Sequence, residues 1–212
     1  MKFPSLIELK HEHFADLEAH AHKPLYEGIK RLFDVVFSIT ALMIFLPFWL
    51  LIVIVIHLDS PGKAFFKHTR IGKNGKPFTL YKFRTMYQGV KDQELAPQTP
   101  HDDRITRIGK FLRRTSLDEI PQLINILKGD MSFVGPRPEM PFIVEKYTAM
   151  EKKRLLVKPG LTGLWQIMGR KDLPLHHNLE FDFYYIRHRS LLLDFVIILK
   201  TFAVVISGKG AY

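Results

Sequence analysis

Cysteine is absent from the 212 residues, which excludes disulfides, thiolate metal sites and cysteine nucleophiles. The opening stretch lacks the apolar core and small-residue cleavage site of a secretory signal, so none is expected. No fixed-period repeat or low-complexity tract is present. Neither G-x-x-x-x-G-K-S/T nor G-x-G-x-x-G occurs, so no standard nucleotide fingerprint is available. Zinc-ligand patterns, RNP-like motifs and a basic region with heptads are also missing, which argues against a nucleic-acid partner. Charge is lopsided. Lys and Arg exceed Asp and Glu to leave +10 at neutral pH, so the partner is anionic: nucleic acid, lipid headgroups or phosphorylated small molecules.

The apolar residues are unevenly spread. Val35 to Ile56 forms a run of about 22 uncharged residues, long enough to cross a bilayer core as a helix. It lacks the polar face of a buried core helix. Pro47, near its middle, removes a backbone donor and should kink or break the helix. Lys30 and Arg31 precede the run, and Lys63, Lys67, Arg70, Lys73 and Lys76 follow it. A simple span would leave one basic flank on the wrong side. A bent helix returning to the same leaflet satisfies both flanks, each base gaining about 1 kcal/mol near anionic lipid. A single span with a prolyl kink is the alternative.

Residues 1–28 form a polar extension. Its His11, His13, His20 and His22 have no metal-ligand spacing and read as a solvated tail or helix. Two apolar and aromatic segments, Ala64–Arg70 and Pro77–Arg84, bracket Gly72-Lys73-Asn74-Gly75, a hairpin signal. Gln88–Asp103 reads as a polar loop. Ser116–Lys128 reads as one helix with Leu117, Ile120, Leu123, Ile124 and Leu127 on a face. Ser116 and Glu119 fit a capping box, and Gly129 fits a C-terminal stop. Pro138–Val157 reads as a second helix carrying the basic cluster Lys152, Lys153 and Arg154. Ser190–Ile206 is interrupted by Asp194 and Lys200 and reads as an amphipathic helix on the membrane surface or the core.

Ser116-Leu117-Asp118-Glu119 is the sharpest candidate for chemistry. Acidic residues in a first helical turn commonly complement the macrodipole. The same position keeps a carboxylate ionised, and an ionised Asp can attack phosphorus. One carboxylate could attack while the other holds a proton or a cation, most plausibly Mg²⁺. Arg104, Arg107, Lys110, Arg113, Arg114 and Arg137 surround the pair in sequence. Bringing phosphorylated substrates to an anionic nucleophile requires such cations. Pro136 and Pro138 stiffen the chain around Arg137, which suits either bidentate phosphate recognition or a structural ion pair.

Several motifs together resemble the bacterial sugar transferase family of monotopic phosphoglycosyl transferases. They are Lys30-Arg31-Leu32-Phe33-Asp34 before the proline-interrupted run, Tyr81-Lys82-Phe83-Arg84-Thr85-Met86, Ser116-Leu117-Asp118-Glu119 and Lys128 through Pro138. Lys158-Pro159-Gly160-Leu161-Thr162-Gly163 and Phe181-Asp182-Phe183-Tyr184-Tyr185 complete the set, which covers about residues 29–206. The resemblance implies an α+β, mainly helical monotopic membrane protein with a re-entrant membrane helix at 29–60. A catalytic domain at 61–212, with a short β-hairpin and amphipathic interfacial helices, would face the cytoplasm from the bacterial inner membrane. It implies transfer of a sugar-1-phosphate from a UDP-sugar to undecaprenyl phosphate, with release of UMP. Asp118 would be the nucleophile, and Glu119 would assist with Mg²⁺ or the proton. Lys82, Arg113, Arg137, Arg170 and Asp182 would contact substrate phosphates and nucleotide. Family members often carry Ser before the helix-interrupting proline, and this chain has Leu46. The competing reading is a membrane-tethered basic nucleic-acid-binding or scaffold protein, supported by net charge alone.

Overall fold

The computed structural model describes residues 3–4, 6–10, 12, 14, 16–89, 102–168 and 178–207. Most of the stretch read as a loop, and Arg170, lie outside these residues. The fold is mostly helical with a small antiparallel hairpin, an α+β arrangement.

Short helices α1 (Leu6–Lys10) and α2 (Leu17–His20) lead into α3 (Pro24–Asp59). The polar N-terminal extension is not simply solvated. Leu9, Phe14 and Leu17 are buried in the main core, and Phe14 meets Phe183 at 5.6 Å between ring centroids. Helix α3 runs for 36 residues and is long and apolar enough to cross a membrane. Pro24 sits in its first turn, where the missing N–H costs nothing. Pro47 lies inside, and the helix continues through it. One lost hydrogen bond does not end a helix flanked on both sides by strong helix formers such as leucine.

Both ends of α3 dock on the same body. Near its start, Arg31 donates to the Ile126 and Leu127 carbonyls. Asp34 accepts from Ser132 Oγ and the Phe133 amide, each at 3.0 Å. Near its end, Trp49, Ile52, Val53 and Ile56 pack with Ala64, Phe83 and Leu112. Arg84 then donates to the carbonyls of Ser60 and Pro61 at 2.6 Å, and Asp59 accepts from the Ile108 amide at 3.1 Å. Much of the helix between these attachments is exposed and apolar, including Met43, Ile44, Leu46, Phe48 and Leu50.

The expected hairpin forms. Strand β1 (Phe65–Ile71) pairs antiparallel with β2 (Pro77–Phe83), with Phe66 opposite Lys82 and Arg70 opposite Phe78. Asn74 takes φ 58°, the left-handed conformation that Asn tolerates better than most residues. Helix α4 (Arg107–Thr115) follows, capped by Thr106, whose hydroxyl accepts from the Gly109 amide.

The helix expected over Ser116–Lys128 does not form as one piece. Ser116 ends α4 at φ 58° and makes no side-chain cap, so the capping box fails. A 3-10 turn spans Leu117–Glu119, and α5 (Gln122–Lys128) begins only after Pro121. The tighter 3-10 turn advances the chain by about 120° per residue, so the buried face moves from the expected Leu127 to Ile126. Gly129 stops α5 at φ 88°, as its sequence signal indicated.

Strand β3 (Ser132–Val134) pairs in parallel with β4 (Gly160–Thr162). Between them, the helix expected over Pro138–Val157 is broken into α6 (Pro141–Val144), α7 (Ala149–Lys152) and a 3-10 turn at Lys153–Leu156. Pro141 takes the first turn of α6, where its missing N–H costs nothing, and Thr148 with Glu151 forms a capping box that starts a new helix. Helices α8 (Leu164–Met168), α9 (Glu180–His188) and α10 (Leu191–Ser207) close the fold. The last covers the stretch Ser190–Ile206 expected as an amphipathic helix. Its Asp194 is not a surface charge: it accepts from Lys30 and Tyr26 at 2.7 Å each and from Tyr185 at 2.8 Å.

Candidate active site

The site is assembled by two elements that Asn125 ties together. This buried side chain accepts from the Tyr81 amide at 3.1 Å and donates to the Thr79 carbonyl at 2.6 Å. Strand β2 is thereby fixed against α5, and Lys82 is brought level with the 3-10 turn that carries Asp118 and Glu119. Lys82 Nζ lies 2.6 Å from Glu119 Oε1 and 3.6 Å from Asp118 Oδ2.

A third element supplies Arg137. Its Nη2 meets the same Glu119 Oε1 at 3.0 Å. The loop carrying it hangs from the parallel β3–β4 pair. The Gly135 amide donates to the Thr162 carbonyl, and the Gly160 amide donates to that of Pro136, each at 2.9 Å. A Cβ on Gly160 would collide with the Gly135 amide nitrogen, so this close approach requires glycine. Behind the loop, Arg154 donates to the Arg137 carbonyl at 2.8 Å.

Arg154 is only 2% exposed, although in sequence it belongs to a basic cluster with Lys152 and Lys153. It pairs with Asp182 at 2.6 Å and donates to the Tyr147 hydroxyl at 2.8 Å. The buried Asp182 therefore supports Arg137 from beneath and does not line the cleft, in contrast to the substrate contact expected of it. Arg113 does line it, and reaches Thr85 Oγ1 at 3.4 Å.

Of the site residues named from sequence, Lys82, Arg113, Asp118, Glu119 and Arg137 face one cleft of about 2010 Å³. Arg170 lies outside the described residues, and Pro47 does not line the cleft. Sequence reasoning missed Arg70, which shares the cleft. Alternation in the hairpin could have found it: Phe66 lies opposite Lys82, so Phe66, His68 and Arg70 share the face of Lys82. Burial, then repulsion from Arg137, brings the Arg70 pKa down to about 10.

The two carboxylates are not equivalent. Burial would raise Glu119, but Lys82 and Arg137 outweigh it and hold Glu119 well below the usual carboxylate range. Burial pushes Asp118 up, and the neighbouring Glu119 charge adds to this against the pull of Lys82. Glu119 thus absorbs the cations as a fixed anion. Asp118 keeps the higher affinity for an electrophile, whether proton or phosphorus. Lys82, Arg113, Arg137 and Arg70 together exceed the two carboxylate charges, leaving a surplus suited to a polyanionic substrate.

The donor set also suits a hard cation. Among the described residues no third carboxylate or histidine joins Asp118 and Glu119. Glu119 accepts from both Lys82 and Arg137 through Oε1. Two carboxylates completed by substrate phosphates and water is a common arrangement for Mg²⁺.

Comparison with known proteins places the chain. The bacterial sugar transferase family matches residues 25–208, and the chain belongs to that family. It is similar to an undecaprenyl-phosphate galactose phosphotransferase of Salmonella typhimurium, 41% identical over 199 residues, covering 87% of this chain and 42% of the relative. A UDP-glucose:undecaprenyl-phosphate glucose-1-phosphate transferase of Escherichia coli is 38% identical over 205 residues, covering 89% and 44%. The exopolysaccharide production protein ExoY of Sinorhizobium fredii is 39% identical over 214 residues, covering 94% of this chain and 95% of that one. The chain thus spans less than half of the first two relatives and nearly all of the third.

Proposed function

We propose that the protein transfers a sugar-1-phosphate from a UDP-sugar to undecaprenyl phosphate, releasing UMP and initiating a surface glycan. The carrying observation is the buried Asp118, raised in proton affinity, beside the cation-bound Glu119 in a cleft rimmed by Lys82, Arg113 and Arg137. Similarity to relatives named for undecaprenyl-phosphate sugar-phosphate transfer supports the substrate pair.

The reaction divides into two displacements. An Asp118 carboxylate oxygen attacks the β-phosphorus of the donor. The bond from that phosphorus to the bridging oxygen breaks, and the electron pair leaves with UMP. The acceptor's phosphate oxygen then attacks the aspartyl phosphosugar. The phosphorus–aspartate bond breaks, restoring the carboxylate and leaving the sugar on a lipid diphosphate. Lys82, Arg113 and Arg137 position the phosphate oxygens and offset the charge that gathers on them. Glu119 holds Lys82 and Arg137 in place. Mg²⁺, held by Asp118 and Glu119 with substrate phosphates, would supply further charge neutralisation.

The same reading makes α3 a re-entrant helix and the cleft cytoplasm-facing, on the inner membrane. A straight helix of 36 residues is about 54 Å long, yet both ends are attached to one small body. That attachment disfavours a span whose ends lie on opposite faces of a bilayer. Exposed apolar residues on α3 and along α10, such as Phe195, Phe202 and Ile206, give the body a lipid-facing side. Exposed bases nearby would favour anionic lipid. Purified protein given Mg²⁺, undecaprenyl phosphate and a panel of UDP-sugars should release UMP with at least one donor. Absence of release with every donor would reject the reading.

A further inference from the structure

The cations of the cleft are not equally engaged. Lys82 and Arg137 meet Glu119 Oε1 at 2.6 and 3.0 Å. Arg113 reaches the Thr85 hydroxyl at 3.4 Å. Arg70 lines the same cleft but makes no hydrogen bond or ion pair with any described residue, and its Nε is buried without a partner. A guanidinium withdrawn from water loses hydration that only acceptors or a carboxylate at contact distance can replace. Arg70 has neither. Burial and the neighbouring Arg137 both act against its charge, while Glu139 and Glu119 draw it only from a distance.

The backbone holds Arg70 where it is. The next residue, Ile71, donates its amide to the Glu139 carbonyl at 2.9 Å, which ties the end of β1 to the loop carrying Arg137. Phe66 lies opposite Lys82, and Arg70 follows four residues later on the same face. At the rise of a strand, Arg70 stands about 13 Å along the hairpin from the level of Lys82. The two uncommitted guanidiniums therefore flank different groups. Among the charges around Arg113, Asp118 acts most strongly. Among those around Arg70, Arg137 does, followed by Glu139 and Glu119. Arg113 and Lys82 thus attend Asp118, and Arg70 stands further out, beside Arg137.

We propose that Arg70 binds the donor phosphate that is not transferred, the one that departs in UMP. The assignment rests on the UDP-sugar reaction proposed above and adds a leaving-group cation to it. The phosphorus attacked by Asp118 lies among Lys82, Arg113 and Arg137, so the second phosphate of the donor falls further from Asp118. A guanidinium fork matches two oxygens of that phosphate. When the bond from the attacked phosphorus to the bridging oxygen breaks, that oxygen keeps the electron pair and becomes a terminal oxygen of UMP. Negative charge gathers there, and Arg70 offsets it. An arginine left unpaired in the empty cleft gains its partner only when the donor is bound.

The test compares Arg70→Met and Arg70→Lys with wild type. Calorimetric titration with UMP and Mg²⁺ should show Kd raised roughly tenfold or more in Arg70→Met, the worth of a hydrogen bond to a charged group. Arg70→Lys, which keeps the charge and loses the fork, should fall between. Single-turnover UMP release from the UDP-sugar should slow roughly a hundredfold in Arg70→Met. Ligand-free Arg70→Met should melt at or above the wild-type temperature, because an unpaired buried charge has been removed. Unchanged UMP affinity in the variants overturns the proposal, including the case in which only the lipid step slows. An Arg70→Met protein that fails to fold, or melts well below wild type, makes Arg70 a structural residue and also overturns it. Wild type that neither binds UMP nor releases it from any UDP-sugar rejects the functional reading itself.

Discussion

At the scale of single residues, the account assigns opposite tasks to neighbouring carboxylates. Asp118→Asn keeps the shape but removes the attacking anion, so UMP release should fall by about a thousandfold or more while the melting temperature stays near wild type. Undiminished turnover would discard Asp118 as nucleophile. Acidity gives a second check. The Asp118 pKa is raised above its ordinary 3.8, so the reactive anion is lost as pH falls through that higher value. The acid limb of kcat/KM should lie above the usual Asp range. Lys82→Met removes the cation that pulls Asp118 down, and the limb should move to still higher pH; a limb that moves down contradicts the assigned electrostatics. Asp118 and Glu119 were legible in the sequence because an acidic pair amid basic residues is conspicuous. Arg70 was legible only through alternation along the hairpin, and Arg154, one of three consecutive basic residues, gives no sign in the sequence of its burial. The depth of Arg154 depends on Asp182, 28 positions away in sequence.

At the scale of elements, the site depends on pieces that sequence periodicity blurs. The hairpin was legible because Asn-Gly between apolar runs is a strong local signal. The 3-10 turn bearing Asp118 was read as the start of a long helix. Ser116 mimics an N-cap in sequence but takes the left-handed conformation that ends α4. Pro138–Val157 was also read as one helix, although Thr148-Ala149-Met150-Glu151 contained the capping signal that divides it. The loop carrying Arg137 rests on the buried Arg154–Asp182 pair. Asp182→Leu should lower stability by about 3–5 kcal/mol, because buried Arg154 loses its 2.6 Å carboxylate partner and keeps the more distant Glu139 at 3.9 Å. The double change Asp182→Leu with Arg154→Met should recover much of that loss in thermal unfolding. Additive losses in the double variant would show that the pair does not act as a unit.

At the scale of the whole molecule, α3 is docked on the body at both ends, which the proposed reading turns into one attachment to a lipid surface. The apolar run was plain in the sequence. The docking of both helix ends was not, because it rests on Arg31, Asp34, Asp59 and Arg84, each an ordinary polar residue until its distant partner is known. Absence of native cysteine allows a clean topology test. Lys10→Cys and Lys67→Cys, introduced separately in sealed vesicles, should react with an impermeant thiol reagent from the same side. Opposite sides would make α3 a full span. The covalent step is open to an equally direct observation on the intact chain. Protein incubated with its UDP-sugar and no lipid acceptor should gain the mass of one phosphosugar, located to Asp118. It should lose that mass when undecaprenyl phosphate is added. Steady turnover with no such adduct, or an adduct at another residue, would contradict the account.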